Sequence, residues 1–149
     1  MREILFRGKR IDNGEWVEGF YNHIPCGRFL CDEHCIQTIK QDGRIGQLYD
    51  VYDSTVEQFT GLTDKNGKKI FEGDIIRELD GGMDGIPREA CWDEDYMKFK
   101  CPLVRKHWAY GYNACDLWQM QSKNIEVIGN IHDNPELLGR AEDGKTENR

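Results

Sequence analysis

Turn-forming residues recur so closely along this 149-residue chain that little room is left for long helices. Asp12-Asn13-Gly14, Asp42-Gly43, Asp64-Lys65-Asn66-Gly67 and Gly81-Gly82-Met83-Asp84-Gly85 punctuate it, and Pro25, Gly27, Gly43 and Gly46 break any 3.6-residue period between 23 and 48. Asn, Asp and Gly accept positive φ, so such clusters close hairpins and end strands. The segments between them are short and rich in Ile, Val, Phe, Trp and Tyr, residues that suit a pleated, half-buried surface. A mainly β protein follows.

Residues 4–11 and 16–21 predict a first hairpin around Asp12-Asn13-Gly14. Strands are expected at 28–31, 36–40, 45–49 and 56–59. In the second half, 70–76 predicts a strand bent at Gly73-Asp74, where glycine marks a bulge and the carboxylate can bond the neighbouring backbone. Further strands are expected at 88–92, 99–105, 108–112 and 125–131, and 114–123 suits a short helix or a strand about equally. Asn134 and Pro135 predict one capped helical turn, with Pro at the first helical position. The expected buried centre comprises Trp16, Phe20, Phe59, Ile70, Phe71, Ile75, Val127, Ile128 and Ile131.

Leu, Ile, Val and Phe total 33 of 149 residues, about 22%, just above the roughly 20% below which disorder is expected. Sixteen aromatics add large side chains that a core can bury. No window approaches the ~18 apolar residues of a membrane span, and no signal-peptide run follows the N-terminus. The net charge is −7, with nine acidic residues against two arginines between 72 and 95. A duplex-binding surface needs clustered cations to displace counterions, so the densest charge has the wrong sign. Arg2, Arg7, Lys9 and Arg10 remain as a local basic patch. They also fit the solvated face of a first strand.

Six cysteines stand at 26, 31, 35, 91, 101 and 115. Without an export signal they read as free thiols in a reducing compartment. Cys26, Cys31 and Cys35, with His23 and His34, hold enough N and S donors for zinc, but lack the two-residue knuckle spacing of most structural sites. The expected metal set is therefore none. His132-Asp133 sits where adjacent side chains diverge and reads as loop polarity, while Asp93-Glu94-Asp95 lacks the alternating ligands of a calcium loop. Trp108-Ala109-Tyr110-Gly111-Tyr112 could stack bases, but suits a core or a subunit interface better. No phosphate-binding glycine loop, zincin motif or nucleophile elbow is present, so no catalytic or cofactor-binding residue is assigned and the chain is not expected to be an enzyme.

Three stretches together resemble the YopX family of small bacteriophage and prophage proteins. They are Met1-Arg2-Glu3-Ile4-Leu5-Phe6-Arg7-Gly8-Lys9-Arg10 with Gly14-Glu15-Trp16-Val17-Glu18-Gly19, the segment from Val56 through Thr60-Gly61-Leu62-Thr63-Asp64-Lys65-Asn66-Gly67 to Glu72-Gly73-Asp74-Ile75-Ile76, and the closing segment from Ile125 to Asn134-Pro135-Glu136-Leu137-Leu138. Segments 22–48 and 80–107 depart from the family pattern. The resemblance implies a β-rich protein whose C-terminal part is an SH3-like small barrel beginning near Asp74. The architecture expected is an N-terminal β-sheet lobe over 1–60 and the barrel lobe over 61–138. Residues 139–149, with one alanine and no larger hydrophobe, are expected to form a flexible tail. The resemblance also implies a homo-oligomer in the cytoplasm of a bacterial host, and it implies no activity.

The function expected from these readings is that of a phage or prophage accessory protein, non-catalytic, binding or assembling through contacts with host or phage proteins. The alternatives are a nucleic-acid-binding regulator using Arg2, Arg7, Lys9 and Arg10, and a cytosolic zinc protein using the 26–35 cluster.

Overall fold

The structure, a computed structural model, describes residues 3–25, 32–79, 85–95, 97–102, 114–116 and 124–139. In chain order the strands are β1 (Phe6–Lys9), β2 (Trp16–Pro25), β3 (Asp32–Ile39), β4 (Ile45–Asp50), β5 (Glu57–Thr63), β6 (Lys69–Phe71), β7 (Asp74–Glu78), β8 (Arg88–Glu89), β9 (Cys91–Asp93), β10 (Lys98–Pro102), β11 (Ala114–Asp116) and β12 (Ile125–Asn130), followed by the short helix α1 (Glu136–Gly139). The protein is mainly β, and its strand pairings are antiparallel. It divides into two compact units, Met1–Gly61 and Leu62–Arg149. The strands expected at 28–31 and 108–112, and residues 140–149 of the expected tail, lie outside the described residues.

The first unit is a sheet in the order β4-β3-β2-β1-β5. Its opening hairpin closes at the expected turn, where the Gly14 amide donates to the Arg10 carbonyl and the Arg10 amide to Glu15, both at 2.9 Å. A 3-10 turn at Asp53–Thr55 then leads into β5. Thr55 pins it to β1: its hydroxyl accepts the Lys9 amide at 2.8 Å and donates to the Tyr52 carbonyl at 2.7 Å. Leu5, Cys35, Ile36, Val51 and Phe59 are the buried apolar residues here.

Phe20, expected in the buried centre, is 50% exposed, and Trp16 is only half-buried. The reason is the two-residue period of a strand. Gly19 packs so tightly against β3 that an added Cβ would lie 2.0 Å from the Gln37 carbonyl oxygen. Phe20, on the opposite face, turns outward.

The second unit contains the expected tight turn and the expected bend. Asp64-Lys65-Asn66-Gly67 closes with Gly67 at φ +77°, and Gly73 takes φ +76°, conformations that favour glycine. Asp64 is buried and accepts three backbone amides: Asn66 at 2.8 Å and Lys68 at 2.9 Å on one oxygen, Val127 at 3.0 Å on the other. Asp74, also buried, accepts the Phe71 amide at 2.8 Å, holding the Gly73 bend. Two three-stranded sheets follow, β12-β7-β8 and β11-β10-β9.

Consecutive strands β8 and β9 belong to different sheets, and the chain changes sheet at buried Ala90. There the Ala90 amide donates to the Asp74 carbonyl and its carbonyl accepts the Gly73 amide. The described strands form antiparallel sheets and not the closed barrel expected for the second half. Ile70, Ile76, Ala90, Phe99, Cys101 and Ile125 form the core, flanked by Leu62, Trp92 and Val127. Each fully buried isoleucine stabilises the unit by about 1.5–3 kcal/mol.

Phe71 and Ile75 are buried as expected, but Val127, Ile128 and Ile131 are only half-buried. Ile125 is the fully buried residue of β12, Val127 packs against the same core, and beyond them a bulge between Val127 and Gly129 shifts the register on β7. Of the 114–123 segment, Ala114–Asp116 is strand. Asn134 does not cap with its side chain: Oδ1 turns back to accept the Asn130 amide at 3.4 Å, and α1 starts at Glu136.

Candidate functional site

The polar and aromatic side chains of the first unit sort onto the two faces of its sheet by register. On one face, Lys9 pairs with Trp16 and Arg7 with both Glu18 and Glu57. The Arg7 guanidinium lies 4.6 Å from the Trp16 ring and the Lys9 ammonium 5.4 Å, while Arg7 Nε donates to Glu57 at 2.6 Å. Arg7 and Glu57 are both buried. Arg7 is therefore a buried ion-pair partner and not a surface cation. Arg10 stacks over Tyr49 at 4.2 Å, and its Nε donates to Asp12 at 2.9 Å. Of the four residues of the basic patch, Arg7 turns inward, Arg10 is held by a carboxylate, Lys9 leans on an aromatic ring, and Arg2 lies outside the described residues.

The same face carries an apolar patch. Phe20 is opposite Gln37, Gln37 opposite Leu48, and Ile39 opposite Ile45, so Phe20, Ile39, Ile45 and Leu48 share one side of β2-β3-β4. Their exposures run from 39% for Ile39 to 71% for Ile45.

On the opposite face a row of rings crosses the sheet. Phe6 and Tyr21 centroids are 5.5 Å apart, and Tyr21 and His34 are 5.9 Å apart. His34 stacks on His23 at 4.6 Å with 15° between planes. His23 and His34 are direct cross-strand partners, and the Tyr21 hydroxyl lies 2.6 Å from His34 Nδ1. Burial, with the nearby Asp53 carboxylate, raises the Tyr21 phenol above its ordinary pKa, so it is protonated at neutral pH.

The expected 26–35 cluster is split by this register. His23 and His34 come together, whereas Cys35, the direct neighbour of His34 in sequence, points to the other face and donates to Asp50 Oδ1 at 3.2 Å. Burial and the Asp50 carboxylate push its thiol up to about 11, so it stays protonated, a poor nucleophile and a poor ligand. Cys26 and Cys31 lie outside the described residues. Among the described residues, no group of three or more His, Cys, Asp or Glu is placed to hold a metal ion. In the sequence these residues are weighed for zinc, no metal set is expected and a strand is expected at 28–31, so the stacked pair is not anticipated. The pairing of 23 with 34 is set by the register of β2 on β3.

In the second unit, the Asn130 side chain accepts the amides of His132 and Asp133, so this pair belongs to a turn. Asp93 is buried and accepts Lys100 Nζ at 2.6 Å and the Asp95 amide at 3.1 Å, which makes the 93–95 run a turn anchored by an ion pair. Burial, reinforced by Glu72, raises the Glu89 carboxyl pKa. Burial and then Glu89 raise the Cys91 thiol. The aromatic run 108–112 lies outside the described residues. No helix among the described residues is long and apolar enough to cross a membrane.

The fold has a counterpart among solved structures. The crystal structure of protein EF1440 from Enterococcus faecalis is similar with a TM-score of 0.55 and 23% sequence identity, over 93% of this chain and 99% of that one. No curated protein matches the sequence. Residues 5–139 match the family described as YopX protein, and with nearly the whole described chain inside that match, the chain belongs to the YopX family.

Proposed function

We propose that this protein is a non-catalytic accessory factor of phage or prophage origin that assembles with copies of itself and acts through protein–protein contacts. The observation that carries this reading is the exposed apolar patch of Phe20, Ile39, Ile45 and Leu48 on β2-β3-β4. Isolated surface hydrophobes need no explanation, but four exposed ones on one face of three paired strands support reading it as an interaction surface. Closed symmetry would let this patch meet its equivalent on a second copy and leave other faces free for a host or phage protein. The second unit we read as an open relative of an SH3-like small barrel, with its first strand starting at Asp74 after the Gly73 bend. The cytoplasm of a bacterial host is the compartment that fits its free thiols.

Sedimentation velocity at micromolar concentration tests the reading. The expected result is a species larger than one 149-residue chain, reverting to a single-chain species on Leu48→Glu with the circular dichroism unchanged. A wild-type protein that sediments only as one chain overturns it.

A further inference from the structure

Two cysteines of the second unit stand opposite each other in register, and the assembly reading leaves them unused. β11 pairs with β10 antiparallel, and Cys115 is the direct partner of Cys101. We propose that Cys101 and Cys115 form a reversible disulfide, a redox-sensitive clamp that fastens β11 to β10. This clamp lies wholly within the second unit and needs no assembly.

Opposed Cα atoms of an antiparallel pair lie about 4.5 or 5.5 Å apart, and both separations fall in the roughly 4.4–6.8 Å that a disulfide spans. The Cβ atoms of such a pair lie about 4.5–5.5 Å apart, whereas a disulfide prefers about 3.5–4.5 Å. Closing the bridge therefore draws the strands together by up to about 1 Å. β11 has three residues and β10 as its single partner among the described strands, so little else resists that approach. Pro102, opposite Ala114, has no amide to give the ladder, which loosens the pairing beside the cysteines.

The register also excludes the other described thiols. Cys91 is opposite Lys100, the chain neighbour of Cys101, and successive residues of a strand face opposite sides of the sheet. Cys35 belongs to the first unit, where its thiol donates to Asp50.

The oxidant is a small-molecule disulfide of the glutathione class. The thiolate of one cysteine attacks it, its S–S bond breaks, and one reduced glutathione leaves with the proton that the cysteine gave up. The thiolate of the second cysteine then attacks the sulfur of the first, forming the protein disulfide and releasing a second reduced glutathione. Two protein thiols are oxidised and one glutathione disulfide is reduced. Cys101 is fully buried, so exchange waits for β11 to lift from β10, a local opening of a short outer strand. In a reducing compartment the pair stays as thiols, and an oxidising shift closes it.

The reduced full chain, incubated in native buffer with excess oxidised glutathione, alkylated and digested with trypsin, tests the clamp. Trypsin places Cys101 on the peptide 101–105 and Cys115 on the peptide 107–123, and neither carries another cysteine. These two peptides, linked, should outnumber every other linked pair by at least about tenfold, because the register holds the two positions at a high effective concentration. Dithiothreitol should release them, and Cys91→Ser should leave their yield unchanged. Oxidation should also slow hydrogen exchange at the β11 amides in wild type but not in Cys115→Ser. A mixture of pairings like that formed in denaturing urea would overturn the bridge. So would glutathione adducts on Cys101 or Cys115 without the linked peptide, or full alkylation of both thiols after the incubation. Unchanged exchange at β11 with the bridge formed would overturn its role as a clamp.

Discussion

The two units use their apolar residues in opposite ways. The second gathers Ile70, Ile76, Ala90, Phe99, Cys101 and Ile125 into one core, and fastens it with buried carboxylates at Asp64 and Asp74. Among the described residues the first buries fewer and displays Ile4, Ile11, Phe20, Ile39, Ile45, Leu48 and Tyr52 at its surface, against Leu79 and Met97 in the second. In the second unit, then, side chains serve stability. In the first, a broad sheet held by backbone hydrogen bonds carries rings, ions and apolar groups on both faces. A difference of that kind separates a unit that keeps a fold from one that presents a surface, and mutations should separate them too.

The largest effect should come from the second unit's core. Ile125→Ala removes a fully buried side chain and should cost about 2–5 kcal/mol in urea unfolding, the range for large-to-small core changes. A loss below ~1 kcal/mol would mean that the core is looser than its burial implies.

Next should come Asp64→Asn, at about 1–3 kcal/mol, since one buried carboxylate accepts three backbone amides and an amide side chain cannot accept with both ends. Burial raises the Asp64 pKa, but the amides of Val127, Lys68 and Asn66 outweigh it, and the net shift is downward. Its stabilisation is therefore complete above the ordinary carboxylate range and is lost as pH falls through the lowered folded value. Stability measured from pH 6 to pH 2 should fall in wild type through this window, with that component absent in Asp64→Asn. Parallel curves would show that another group governs the acid limb.

Gly73→Ala should cost about 1–2 kcal/mol, because a side chain must be held at φ +76°. Its thermal midpoint should drop accordingly, and an unchanged midpoint would show that the bend relaxes.

The smallest effect belongs to the first unit. Ile45→Ser, at a residue 71% exposed, should change stability by no more than about 0.5 kcal/mol at concentrations where the chain is a monomer. A loss comparable to that of Ile125→Ala would erase the contrast between the units.

The turns were legible in the sequence because they depend on few residues. Asp12-Asn13-Gly14 and Asp64-Lys65-Asn66-Gly67 contain within themselves the residue that accepts positive φ and the carboxylate or amide that binds nearby backbone. The bend at Gly73-Asp74 was legible for the same reason, and so were most strands of the described segments. Phe20 was misplaced because hydrophobicity does not reveal which face of a strand is covered. Asn134 was misplaced because its side-chain oxygen turns back to the Asn130 amide, which lies before the turn.

What the sequence determined alone was the mainly β character, the positions of the turns and the local carboxylate anchors. Only the tertiary structure decided that the second oxygen of Asp64 reaches the Val127 amide 63 residues away, that a bulge shifts the register of β12 after Val127, and that His23 meets His34 while Cys35 turns toward Asp50. The physical reason is register. Local chemistry says where a strand begins and ends, but a one-residue slip or bulge sends every side chain beyond it to the other face, and register is set by pairing between distant segments.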